Sequence, residues 1–84
     1  MHYVYIIRSE LGRLYYGATR NLRRRLVEHN TGRSKSTSGH QWKLVYYEAY
    51  TDERDAWIRE QRLKNVGQAL AQLKRRISHS LSKS

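Results

Sequence analysis

Apolar and aromatic positions fall in bursts separated by polar stretches, and the spacing within each burst predicts its element. His2 to Arg8 reads HYVYIIR, a β-branched and aromatic run that predicts a strand. Strand alternation puts Tyr3 and Tyr5 on one face, Val4 and Ile6 on the other. Glu10-Leu11-Gly12-Arg13 is a polar, Gly-containing turn, and Leu14 to Ala18 is a second short strand, completing a hairpin. Thr19 or Asn21 can cap a helix through NLRRRLVEHN, which Gly32 ends. Residues 33–41, RSKSTSGHQ, contain no apolar side chain and read as a loop. Trp42 to Tyr50 is a third strand, Thr51-Asp52 caps a helix over ERDAWIREQRLKN, and Leu70, Leu73 and Ile77 recur at helical spacing in a last helix. The order is β-β-α-β-α-α. It predicts a mixed α/β (α+β) fold, a three-stranded, mostly antiparallel sheet flanked by helices. One domain is expected over 1–78, followed by a polar, frayed tail over 79–84 in which Leu81 would extend the last stripe by one turn.

Within the first helix the charges are placed unequally. Leu22, Leu26 and Asn30 share one face, Arg25 and His29 lie at its edge, and Arg24 and Glu28 point away. Arg24 and Glu28 therefore read as a solvated i,i+4 pair. Arg25 and His29 are adjacent and half-sheltered. Either they face a phosphate together, or the arginine snorkels while the histidine packs.

In the second long helix, Glu60 falls inside the arc that Ala56, Trp57 and Leu63 mark as buried. A carboxylate there is costly unless it is paired or binds a cation. Lys64, one turn on, supplies the structural explanation, and a metal supplies the functional one. Asp52, Glu53 and Asp55 need no such account, because acidic residues suit the first turn of a helix.

Composition sharpens this picture through charge. The 84 residues carry 17 Lys+Arg against 7 Asp+Glu, a net charge of +10. So large an excess on one small domain marks a polyanionic partner, nucleic acid above all. The absence of Cys excludes disulfides, thiolate metal sites and a cysteine nucleophile. No apolar run reaches the roughly 20 residues of a membrane span, and no signal-peptide pattern opens the chain, so a cytoplasmic protein is expected.

Taken in order, Tyr3-Val4-Tyr5, Tyr15-Tyr16-Gly17, Asn21-Leu22, Arg25, His29 and Glu60 resemble the GIY-YIG nuclease domain. The closest likeness is to its small standalone branch of predicted endonucleases, with YVYI, LYxG, NLxRRLxEHNxG and KLVYYE elements and one glutamate before LK. The resemblance covers about residues 2–78, and its specificity lies in the ordered set rather than in any one element. It matches Tyr5 to the tyrosine of GIY, Tyr15 to the first tyrosine of YIG, Arg25 to the catalytic arginine, His29 to the polar residue one turn later, and Glu60 to the metal-binding glutamate. Tyr3 stands where the motif has its first glycine, Tyr16 where it has isoleucine, and Ala18 where repair-type members often carry lysine.

What the resemblance implies is metal-assisted phosphodiester hydrolysis, most simply of DNA. Glu60 would hold one Mg²⁺ (or Mn²⁺), with water and substrate oxygens completing its shell. Arg25 would stabilise charge on the phosphoryl group. Tyr5 or Tyr15 would orient or deprotonate water, provided that nearby cations lower a tyrosine pKa whose ordinary value is near 10; His29 is the alternative base. Contacts to nucleic acid are assigned to Tyr3, Gly17, Arg20, Arg23, Arg24, Arg33, Lys35 and Lys64, with the loop Arg33 to Gln41 and the Lys74-Arg75-Arg76 stretch as further candidates. A binding module with little or no nuclease activity is the competing reading, and a basic ribonucleoprotein component the third. A monomer is expected, with a homodimer through Leu70, Leu73 and Ile77 as the alternative.

Overall fold

The computed structural model describes residues 1–82, so residues 83 and 84 of the expected tail lie outside the described residues. The apolar run near the N-terminus becomes β1 (His2–Ser9), and the next becomes β2 (Leu14–Thr19). Between them, the Ser9 hydroxyl accepts the backbone N–H groups of Leu11 and Arg13 at 3.2 and 3.1 Å. Gly12 takes the left-handed φ of 81° that a side chain would oppose. β3 (Trp42–Tyr50) pairs with the other edge of β1, and the sheet is antiparallel throughout in the order β2-β1-β3. A register irregularity interrupts the β1–β3 pairing between Ile6 and Ile7.

Because β1 is central, both its faces are buried, and each carries its own core. Val4 and Ile6 pack with Ala56, Leu63 and Leu73. Tyr5 and Ile7 pack with Trp42, Tyr15, Leu22 and Leu26. The second cluster belongs to α1 (Leu22–Asn30), whose first turn is capped by the Asn21 side chain accepting from Arg24 N at 3.0 Å. The first cluster belongs to α2 (Glu53–Asn65), capped by Asp52, and α3 (Gly67–Arg76). Val66, extended at φ −115° and ψ 101°, separates those two helices.

The stripe Leu70, Leu73, Ile77 packs on the chain's own core. α4 (Ser78–Ser82) follows within the stretch expected as tail, and the Leu81 carbonyl accepts from Arg8 Nη1. Glu48 ties β3 to α2: Arg59 donates to both its oxygens, from Nε at 3.0 Å to Oε1 and from Nη2 at 3.1 Å to Oε2, and the Tyr46 and Tyr50 hydroxyls donate to it as well. Tyr46 and Tyr50 are thus packing residues.

Two expectations fail here. Trp57 is 60% exposed, because α2 buries only the narrow stripe through Ala56 and Leu63, and Trp57 lies a further 100° or so around the wheel. The stretch 33–41 is not simply a solvated loop. It holds a single 3₁₀ turn, Lys35–Thr37, and buries Ser34 and Thr37. Among the described residues no helix is long and apolar enough to cross a membrane.

Candidate active site

Tyr5 sits mid-strand in β1, opposite Gly17 of β2, and is only 2% exposed. Its ring occupies the space that a side chain at position 17 would need: a Cβ there would lie 2.6 Å from Tyr5 Cζ and closer still to the hydroxyl. The protein's own tyrosine thus fills the space over Gly17, and Gly17 is buried rather than available to nucleic acid.

The Tyr5 hydroxyl lies 2.7 Å from His29 Nε2, and His29 Nδ1 lies 2.7 Å from Thr37 Oγ1. His29 and Thr37 are both fully buried. The Tyr15 ring meets the imidazole edge-on, with centroids 5.1 Å apart. Trp42 Nε1 donates to the Thr37 carbonyl at 2.9 Å, and Asn30 bridges both the N–H and the C=O of Trp42. Adjacent to this group, Arg25 donates to Glu28 at 3.0 Å, and its charge acts on the Tyr5 hydroxyl. Glu28 is therefore shared. Its contact with Arg24 is longer, 3.5 Å, so the expected solvated pair is the weaker half of a three-residue cluster.

Electrostatics follow from this burial. Desolvation outweighs the Arg25 contact at Tyr5 and, with small additions from Tyr15 and Glu60, pushes its pKa up to about 12. A tyrosine acting as base would need nearby cations to lower its pKa; at Tyr5 the reverse holds, because burial of the phenol outweighs the effect of Arg25. Burial and the Arg25 charge, partly countered by Glu28, hold His29 below its ordinary value of 6.5, so the ring is neutral at pH 7. Burial opposes the Arg25 charge, but hydrogen bonds to Glu28 and Tyr5 outweigh it and raise the guanidinium pKa.

Glu60 stands on α2, the helix packed on the Val4–Ile6 face of β1, and its charge has only a small effect on Tyr5. Its side chain is 14% exposed, and Oε2 accepts from Lys64 Nζ at 3.0 Å. The helix pair anticipated for Glu60 therefore forms, and it engages Lys64, which was assigned to nucleic acid. Among the described residues there is no group of three or more His, Cys, Asp or Glu able to hold a metal. A lone carboxylate still fits a hard cation of the Mg²⁺ type, which keeps several waters and takes one or two carboxylates plus phosphate oxygens.

The structure thus brings together Tyr5, Tyr15, Arg25 and His29, drawn from β1, β2 and α1, whereas Glu60 on α2 pairs with Lys64. Arg20, Arg23, Arg24, Arg33 and Lys35 are exposed, and Tyr3 is half-buried against Tyr47, with ring centroids 6.0 Å apart. Thr37, Trp42 and Asn30 were not foreseen as site residues. A loop of small polar residues gives no periodic signal, and the one available cue was a Trp N–H needing an acceptor.

The GIY-YIG catalytic domain model matches residues 1–75, nearly the whole described chain. The chain belongs to the GIY-YIG family. Among curated relatives, this GIY-YIG domain is 41% identical to a UPF0213 protein of Clostridium perfringens over 68 residues, covering 79% of the chain and 73% of the relative. It is 37% identical to a UPF0213 protein of Bacillus pumilus over 65 residues (75% and 66%). The same identity relates it to a UPF0213 protein of Halobacterium salinarum over 71 residues (82% and 92%). No solved structure gives a significant match. Membership points to nuclease-type activity on a nucleic acid.

Proposed function

We propose that this GIY-YIG domain is an endonuclease hydrolysing phosphodiester bonds in DNA, with Tyr5, Tyr15, Arg25, His29 and Glu60 as its working groups. One observation carries the reading: the buried Tyr5 hydroxyl lies 2.7 Å from Nε2 of the neutral, buried His29, with the partly exposed cation Arg25 acting on both. Such a set suits moving a proton while holding a phosphate.

With its pKa near 12, Tyr5 keeps its proton at neutral pH and is a poor base alone. Bonded to His29, it can pass its own proton to Nε2 as it takes one from water. The water oxygen then bonds to phosphorus, and the P–O bond to the leaving sugar oxygen breaks. That oxygen takes a proton from solvent, and His29 returns its proton through Tyr5. Tyr15 is half-buried, and its hydroxyl makes no hydrogen bond to the described residues, so it is the tyrosine open to orient water or phosphate. Arg25 supplies a fixed positive charge to the phosphoryl oxygens, an interaction worth roughly 2.7–4 kcal/mol when a preorganised donor is lost. A divalent ion, Mg²⁺ or Mn²⁺, held by Glu60 would supply Lewis-acid stabilisation of the same charge. Arg20, Arg23, Arg24, Arg33 and Lys35 supply the sequence-independent attraction.

The Glu60–Lys64 ion pair favours a second reading, a binding module with little nuclease activity, because it occupies one oxygen of the expected metal ligand. Cleavage of plasmid, branched and single-stranded DNA with Mg²⁺ or Mn²⁺, wild type against Glu60→Ala, separates the two. Turnover lost in Glu60→Ala supports the nuclease; salt-dependent binding without turnover by wild type supports the module.

A further inference from the structure

Thr37 lies outside every family motif in the chain, yet it is fully buried against the one imidazole in the cluster. Around His29 stand Tyr5 from β1, Tyr15 from β2, Arg25 and Glu28 from its own helix, and Thr37 from the 3₁₀ turn, with Trp42 of β3 holding the Thr37 carbonyl. Among the described residues, only Tyr5 and Thr37 reach the ring nitrogens.

Counting protons through this chain gives it a direction. The Thr37 hydroxyl has one proton, and the Ser34 carbonyl 3.4 Å away can only accept it. Oγ1 must then accept from His29 Nδ1–H, which leaves Nε2 unprotonated to accept from Tyr5. In the opposite order, Nε2–H would donate to Tyr5, and the tyrosine's own proton would have no acceptor among the described residues. Only the first order satisfies every group, and no buried side-chain nitrogen or oxygen among the described residues lacks a partner.

We propose that Thr37 is a positioning residue that holds His29 in the Nδ1–H tautomer, aiming the Nε2 lone pair at Tyr5. The consequence for turnover rests on the nuclease reading, whereas the tautomer itself does not. The turn Lys35–Thr37 also lies within the basic loop 33–41, so the fold of that loop sets the direction of proton movement in the site.

Long-range ¹⁵N–¹H NMR of the histidine rings tests this without any cleavage. In the wild type, His29 should show a protonated Nδ1 and an unprotonated Nε2. Thr37→Val, which keeps the shape and removes the hydroxyl, should populate the other tautomer, and Thr37→Ser should restore the first. Cleavage should fall by about tenfold or more in Thr37→Val and recover in Thr37→Ser, with DNA affinity unchanged. A wild-type His29 protonated at Nε2 overturns the proposal even if Thr37→Val does not fold, and so does an unchanged tautomer in a folded Thr37→Val. Absence of cleavage by the wild type refutes the nuclease reading and leaves the NMR result to decide the tautomer.

Discussion

Replacing Gly17 with alanine would put a methyl group where the Tyr5 ring already sits. The new Cβ would lie 2.6 Å from Tyr5 Cζ and 3.0 Å from Cε1, and real Cβ atoms essentially never show contacts under 3.0 Å. The ring cannot swing away cheaply, since Tyr5 is 2% exposed and its hydroxyl is bound to His29. Overpacking of this kind costs about 1–3 kcal/mol. Against it stands a gain of about 0.4–1 kcal/mol, because alanine restricts the unfolded chain and the φ of Gly17 is not positive. The net expectation is a loss of about 1–2 kcal/mol, or a fall in Tm on the order of 5–10 °C for a domain this size. Urea unfolding followed by tryptophan fluorescence measures it. Gly67→Ala, where nothing lies within 4 Å of the added carbon, is the control and should be neutral or stabilising. A Gly17→Ala protein as stable as the wild type would refute the packing argument and, with it, the claim that Gly17 exists to seat Tyr5.

Two further perturbations probe the electrostatics. Burial holds the folded-state pKa of His29 below 6.5, so the unfolded chain takes up the proton first. Stability should therefore be intact above pH 6.5 and fall as pH drops toward the folded value, whereas His29→Gln should show a smaller loss over that range; equal urea midpoints for the wild type at pH 7.5 and 5.0 would contradict this. Burial works against the Glu48 charge, but hydrogen bonds from Arg59, Tyr50 and Tyr46 hold its pKa below the ordinary 4.5. Glu48→Gln should cost about 1–2 kcal/mol at pH 7. It should also remove that part of the wild-type acid sensitivity which appears as pH falls below 4.5 through the folded value, readable in acid unfolding curves.

Strand and helix periodicities were legible because β1 is an unbroken β-branched and aromatic run, α1 and α2 carry capping residues, and α3 carries spaced leucines. The ordered tyrosines, Arg25 and His29 were legible as a set, since topology places the middle of β1, the end of β2 and one edge of α1 side by side. Burial depth was not. Nothing local shows that the Tyr5 phenol would be enclosed by Gly17 and His29, and so the direction of its pKa shift was misjudged. Thr37 was invisible for a related reason. Its importance arises from a contact eight residues away in sequence, within a segment whose polarity reads as solvent-facing. Trp57 shows the opposite error, an aromatic residue at nearly buried phase that the narrow contact face of α2 leaves outside.

The measurement that bears most directly on the nuclease account is single-turnover cleavage and binding of one DNA substrate by Arg25→Ala and Arg24→Ala, side by side with the wild type. Both variants lose one positive charge from the same helix, and it is the Arg25 charge that acts on Tyr5 and His29. The account predicts a cleavage rate about 100-fold lower or worse in Arg25→Ala, near-normal cleavage in Arg24→Ala, and similar small losses of affinity in both. Equal rates in the two variants would contradict it.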